Sequence, residues 1–467
     1  MRLTKAAILI AINSFFFTNA FSQLRLPSVL SSNMVLQRND SVSIWGWSGP
    51  SEKIFVTTSW DNHTDSAIAN NEAKWTLKVK TPAAGGPYAI TIKGYSETKQ
   101  LDNVMIGEVW VCSGQSNMEW SYYNKVNDIQ PELNAHTNQN IRFFHVPKAG
   151  ADYPQDDAPA KWTVCDSNTL KSFSAVAYFF GKKLSTDLNI PIGLINTSWG
   201  GTPAEVWTPS ELVNNDADLK ASAAKQTKFD WWPKEPGVTY NAMIAPFTNF
   251  SIGGAIWYQG EGNTAAPSTY AKLFTTMIDA WRKAWKKDFP FYYVQIAPFT
   301  YGNNNNGNLV REQQAIASMH KNVGMVVVSD ITGDTTDIHP RNKKDVGARL
   351  ANWALAETYH KEGVVYKNPV YKNIEIKKDK AIISFDNVPN GLVANDKKIA
   401  AVWIAGEDKV FYPADAKIEK DKLIVSSKSV KVPAAVRFSF ANAAVGNLFS
   451  KEGLPVVPFR TDDWEVK

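Results

Sequence analysis

Residues 107–120 read GEVWVCSGQSNMEW, and this stretch decides the fold. Val109, Trp110, Val111 and Cys112 make an apolar, strand-like run that breaks at once into Ser113, Gly114, Gln115, Ser116 and Asn117. A serine directly after a buried strand stands at the strand's carboxyl end, where open α/β sheets bind ligands. Gly114 permits a tight turn, and the amides of such a turn can face an anion. Exposure, a fixed rotamer and amide donors alongside are what a serine nucleophile needs. A polar loop without chemistry is the competing reading of the same residues.

Outward from this segment, strand-like and helix-like runs alternate over residues 104–362. Five strands are expected: MIGEVWVC (105–112), IPIGLINTS (190–198), GGAIWYQ (253–259), PFYYVQIA (290–297) and VGMVVVSD (323–330). Between them, Phe173, Val176, Ala177, Phe180 and Leu184 share one helical face, as do Leu273, Phe274, Met277, Ile278 and Trp281. Further helices are expected over 309–320 and 343–359. Strands alternating with helices imply a parallel sheet covered on both faces, a flavodoxin-like, doubly wound α/β domain.

The flanks read differently. Residues 23–103 hold short alternating runs such as SVSIWGW (41–47) and WTLKVK (75–80), separated by turn residues, and form an N-terminal β domain. Residues 363–467 return to strands, among them IEIKKDKAIISFDN (374–387) and AAVRFSFA (434–441), in the charged, alternating style of a sandwich with one wet face. The pattern leaves open whether these β-rich regions are separate or one layer. Residues 1–22 read as an export signal: Arg2 and Lys5, an apolar run over 6–17, then Ala20-Phe21-Ser22 before Gln23. The run is too short to span a membrane. The mature protein is expected to start near Gln23, in the periplasm or outside the cell, without membrane insertion.

Composition narrows the function classes. The net charge of +5 is spread along the 467 residues with no basic block, which argues against a nucleic-acid partner. Seventeen Trp in a chain that is 12% aromatic suit either a β core or the apolar faces of sugars. Cys112 and Cys165 are the two cysteines; export permits a disulfide, and two buried thiols are the alternative.

The loops after the strands carry the chemistry-bearing residues. NTSWGGTPAEVWTP (196–209) places Gly200-Gly201 where an amide can approach a reacting oxygen. WYQGEGN (257–263) groups Gln259, Glu261 and Asn263, and DITGDTTDIHPRNK (330–343) carries His339. Of the six histidines (63, 136, 145, 320, 339 and 360), only His339 lies in such a loop with an acid two residues before it. It is the general-base candidate, because a serine hydroxyl is a weak nucleophile at neutral pH.

Other chemistries fit less well. GQSNM lacks the second glycine of the G-x-S-x-G elbow. Glu119, not a lysine, stands three residues after Ser116. No H-E-x-x-H or Cys/His cluster points to a metal, and no cofactor is implied. A glycosidase pair drawn from Glu205 and Glu261 would leave Ser116 and His339 without a role.

Together these segments resemble the SGNH hydrolases, and more closely the sialate O-acetylesterase family. The resemblance rests on LPSVLSSNMVLQRN (26–39), GQSNMEW, NTSWGG, WYQGEGN, DIHPRNK, IAGEDKVFYPADA (404–416) and GLPVVPFRTDDW (453–464), and it covers nearly all the mature chain. It implies a metal-independent serine esterase that removes O-acetyl groups from carbohydrates, sialate first and acetylxylan or another plant glycan as the alternative. Its nucleophile falls on Ser116, its base on His339, its glycine oxyanion donor on Gly200 or Gly201, and its polar oxyanion side chain on Gln259 or Asn263. In the wider superfamily the acid precedes the histidine by three residues, which here is Thr336. Asp337, one residue nearer, would point away in an extended segment, so Glu261 is favoured over Asp337 as the orienting acid. Gln115, Trp199, Trp207 and Arg341 are candidates for the sugar site, Arg341 for a sialate carboxylate. A glycan-binding protein with a decayed hydrolase domain is the reading from another class.

Overall fold

The computed structural model describes residues 23–134, 137–302 and 304–466; the expected export signal and His136 lie outside these. Seven strands open the chain: β1 (Val35–Gln37), β2 (Ser41–Trp47), β3 (Lys53–Thr58), β4 (Thr64–Ile68), β5 (Lys74–Lys80), β6 (Gly85–Lys93) and β7 (Thr98–Gly114). The α/β region adds β8 (Asn138–His145), β9 (Trp162–Cys165), β10 (Ile192–Ser198), β11 (Gly254–Tyr258), β12 (Phe291–Val294) and β13 (Val323–Val326).

The central sheet runs β13-β12-β11-β7-β10-β8-β9. All its pairings are parallel except β8 with β9. This is the expected doubly wound sheet with one more parallel strand than the sequence reading finds. The missed strand, β8, starts with Asn138-Gln139-Asn140 and carries Arg142, which masks the buried Ile141, Phe143 and Phe144.

Both faces of the sheet are covered. On β7, Val109 and Val111 join one core, while Trp110 and Cys112 join the other. The first core takes Leu273, Phe274, Met277 and Trp281 from the helix Tyr270–Trp285. The second takes Phe180 and Leu184 from the helix Ala175–Leu188, and Val346 and Leu350 from the helix Lys344–Trp353. Each fully buried Val, Leu, Ile or Phe contributes roughly 1.5–3 kcal/mol of transfer free energy.

β7 ties the two N-terminal parts of the chain together. Its first half pairs antiparallel with β6 and parallel with β1, and its second half lies between β10 and β11. The strand is unbroken over residues 98–114, so position 103 falls inside it. The C-terminal part has two four-stranded antiparallel sheets and its own core, including Ile383, Ile404, Leu423 and Phe438. It meets the α/β region through Arg460 on Glu312 at 2.6 Å and the Arg311 guanidinium on the Ala441 and Asn442 carbonyls.

Cys112 and Cys165 are both buried and free. They lie on β7 and β9, with β10 and β8 between, a separation of roughly 14 Å at the usual strand spacing. No disulfide can span that.

Candidate active site

The strand order reverses at β7, so its carboxyl end opens onto a crevice between outgoing connections. Gly114 makes the turn there. Its φ is +139°, and a Cβ would come within 2.3 Å of the Tyr258 carbonyl on β11. Gln115 N donates to that carbonyl at 3.0 Å, and Ser116 then opens the helical turn Ser116–Glu119. The turn is pinned from behind. Ser174 Oγ donates to the Met118 carbonyl at 2.6 Å, and Ala175 N donates to the Trp120 carbonyl at 2.9 Å. Gln115 Oε1 accepts from Gly262 N at 3.0 Å, which fixes the side-chain amide beside the crevice.

His339 comes from 223 residues away and places Nε2 2.9 Å from Ser116 Oγ. Trp120 stacks on the imidazole, with centroids 3.9 Å apart and planes 21° from parallel. Burial lowers the His339 pKa to about 4, helped by the Lys343 charge and opposed by Asp337. The ring is therefore neutral at pH 7 and able to accept a proton.

The acid facing Nδ1 is Asp337, whose Oδ1 lies 3.7 Å away. The extended segment expected here is a turn. Asp337 Oδ1 accepts the His339 backbone N–H at 2.9 Å, an Asx turn that folds the carboxylate back toward the ring. Its other oxygen takes Arg341 at 2.8 Å.

Glu261 does not reach the imidazole, contrary to the sequence expectation. Its Oε1 accepts from Asn117 Nδ2 at 2.6 Å. The same nitrogen donates to the Ile338 carbonyl at 3.1 Å, and Asn117 Oδ1 accepts from Lys343 Nζ at 2.6 Å. Burial raises the Glu261 pKa and pushes Lys343 down to about 7, against the pull of Glu261. Asn117 thus joins a buried acid and a buried lysine and clamps the histidine loop to the serine turn. Both residues lie inside motifs quoted above, yet nothing in their spacing announces the contact. Lys343→Met is expected to cost about 1–3 kcal/mol of stability, because it leaves the buried Asn117 Oδ1 without its donor. Urea denaturation checks this; an unchanged midpoint contradicts it.

The expected oxyanion residues divide. The Gly200 amide donates to Glu119 Oε2 at 2.5 Å, and a Cβ on Gly200 would sit 3.3 Å from the Ser116 Cβ. A carboxylate oxygen therefore already occupies an amide beside Ser116. Glu119 Oε1 pairs with Lys148 at 2.7 Å. Gly201, with φ +83°, packs under Trp232, which a Cβ would strike at 2.2 Å.

Gln259 and Asn263 face inward instead. Gln259 Nε2 donates to Asn263 Oδ1 at 2.7 Å and to the Thr202 carbonyl at 3.2 Å, while Tyr270 OH donates to Gln259 Oε1 at 2.9 Å. Asn263 Nδ2 donates to Glu205 Oε2 at 2.8 Å. Buried amides must pair internally, and these support the floor of the site. Trp207 is also core, fully buried with its Nε1 on Thr202 Oγ1 and its ring against Trp257. Arg341 bonds Asp337 and the Asn124 carbonyl through its two terminal nitrogens and lies 4.7 Å over Trp120, outside the lining of the crevice.

Ser116 and His339 open into a cleft of about 600 Å³. Gln115, Glu119, Trp199 and Gly200 line it, as expected or adjacent to what was expected. Phe229, Trp231 and Trp232 form another wall that the sequence reading passed over. The segment KFDWWPK (228–234) has no periodicity and matches no motif, so its aromatic density is the one signal it offers.

Residues 106–356 match the model of the family described as carbohydrate esterase, sialic acid-specific acetylesterase. The chain belongs to that family. Strands β8 to β13, the serine turn and the histidine loop all fall within the matched span. Human sialate O-acetylesterase is 28% identical over 397 residues, covering 77% of this chain and 76% of its own. The Rattus norvegicus enzyme is 27% identical over 417 residues, covering 75% and 77%. A carbohydrate acetylesterase of Xanthomonas citri is similar in structure, with a TM-score of 0.87 and 34% identity, covering 95% of this chain and all of that one. The chain is thus a carboxylic ester hydrolase of the carbohydrate esterase class, with the mixed α/β fold of these enzymes. No described helix is long and apolar enough to cross a membrane.

Proposed function

We propose that this protein removes O-acetyl groups from carbohydrates through a Ser116–His339 pair. The observation that carries the reading is the 2.9 Å contact between Ser116 Oγ and His339 Nε2 at the crevice of the sheet. In this mechanism His339 takes the Ser116 proton as Oγ attacks the acetyl carbonyl carbon. The developing oxyanion is held by the amides of Ser116 and Gly200, displacing the Glu119 carboxylate. One such donor contributes about 10²–10³ in turnover. Collapse breaks the ester bond, and His339 protonates the leaving sugar oxygen. Water, deprotonated by the same imidazole, then attacks the acyl carbon, and acetate leaves as His339 returns that proton to Ser116 Oγ. Asp337 stabilises the imidazolium that forms twice in each cycle, and Gln115 and Trp199 contact the substrate.

The chemistry falls in the middle of the parts 23–103, 104–362 and 363–467, the first two of which share β7. The leader at 1–22 supports export, which suits an enzyme acting on glycans outside the cytoplasm. The test is acetate release by the purified protein from O-acetylated sugars, with 9-O-acetyl sialate and acetylxylan side by side. Release from either supports the esterase; no release from any acetyl ester refutes it.

A further inference from the structure

The walls of the cleft carry information on what the acetyl group is attached to. Trp231 is 65% exposed and Phe229 37% exposed, in a chain that buries most of its other aromatic rings. The three rings of Phe229, Trp231 and Trp232 form one cluster, with centroids 4.3–5.4 Å apart. Such a patch beside an active site has a binding role more often than a packing one.

The cluster is held in place relative to the nucleophile. Trp199 Nε1 donates to the Trp231 carbonyl at 2.9 Å, and Gly201 leaves room for Trp232 against the turn that carries the Gly200 amide. A ligand seated on these rings therefore has a fixed relation to Ser116. The cleft, at about 600 Å³, is far larger than an acetyl group needs and falls in the range of sites that hold whole ligands.

Charge selects among possible occupants. Among the described lining residues, Lys148 is the one lysine or arginine. It lies 2.7 Å from Glu119 and is neutralised there. Arg341, the expected partner of a sialate carboxylate, is held by Asp337. An acidic sugar meets no unpaired cation on these walls. A pyranose ring without charge meets aromatic faces that match its apolar C–H face.

We propose that Phe229, Trp231 and Trp232 form a subsite for a sugar ring of an uncharged oligosaccharide, the neighbouring ring of which presents its acetyl ester to Ser116. This rests on the esterase reading above and names its substrate class: a neutral acetylated glycan chain, not a single acidic sugar. The rings act by binding, so they govern selectivity rather than the chemical step.

The experiment compares kcat/KM for chemically acetylated xylotetraose, acetylated xylose, 9-O-acetyl sialate and p-nitrophenyl acetate, in the wild type and in Trp231→Ala. Trp231 is exposed, so its removal leaves the core intact; Phe229→Ala gives an independent second variant. The wild type is expected to prefer the tetrasaccharide over the monosaccharide and over the sialate ester. In either variant, the tetrasaccharide-to-p-nitrophenyl-acetate ratio of kcat/KM is expected to fall roughly five- to tenfold, mostly through KM. A length preference that survives both substitutions, or a wild type that favours the sialate ester, overturns the subsite. Inactivity toward all four esters instead overturns the esterase reading, and the subsite with it.

Discussion

Ser116→Ala is expected to lower kcat toward p-nitrophenyl acetate by roughly 10⁴–10⁶, with little change in stability. The size follows from the acyl intermediate: without Oγ no covalent bond forms, and only the amides and binding contacts remain to assist water. The small structural effect follows from how the turn is built. Gln115 N on the Tyr258 carbonyl, Ser174 on the Met118 carbonyl and Asn117 on Glu261 hold it without the serine hydroxyl. Turnover by the variant close to that of the wild type would mean that another residue is the nucleophile.

The second large effect is on the base. His339→Ala is expected to cost roughly 10³–10⁶ in kcat, since a group acting as one unit with the nucleophile is lost almost entirely with either member. The pH profile gives a sharper signature. The imidazole must be neutral to accept the serine proton, and burial lowers its pKa from 6.5 to about 4. Activity is therefore retained as the pH falls through the usual histidine range and is lost only as it passes about 4. Asp337 raises that pKa, so Asp337→Asn is expected to move the acid limb lower still while reducing turnover. Glu261 makes no contact with the ring, so Glu261→Gln is expected to leave the limb in place. A limb near 6.5, or one moved by Glu261→Gln and not by Asp337→Asn, would contradict this geometry.

Much of the site is legible in the sequence because it depends on chain order and local chemistry. An apolar strand followed by Gly-Gln-Ser puts Ser116 at a sheet rim, and a histidine in a loop after a later parallel strand reaches the same rim. What escapes the sequence depends on side-chain direction. Gln259 and Asn263 have the right chemistry in the right loop, yet Tyr270, Thr202 and Glu205 draw their amides inward. Strand alternation points Asp337 away from the ring, but an Asx turn operates at that place. Glu261 stands at the end of the correct strand, but Asn117 intervenes between it and the histidine loop. In β8, polar residues at the start hide a buried centre. The aromatic wall of residues 229–232 belongs to no motif, and only its position in the fold gives it meaning.

The central claim is a covalent one and can be tested by trapping. Protein mixed with p-nitrophenyl acetate is quenched in acid within the first turnovers and digested, and its peptides are weighed. The account predicts one acetyl group, carried by the peptide that contains Ser116 and absent from Ser116→Ala. An acetyl group on a different side chain in the active wild type would contradict it.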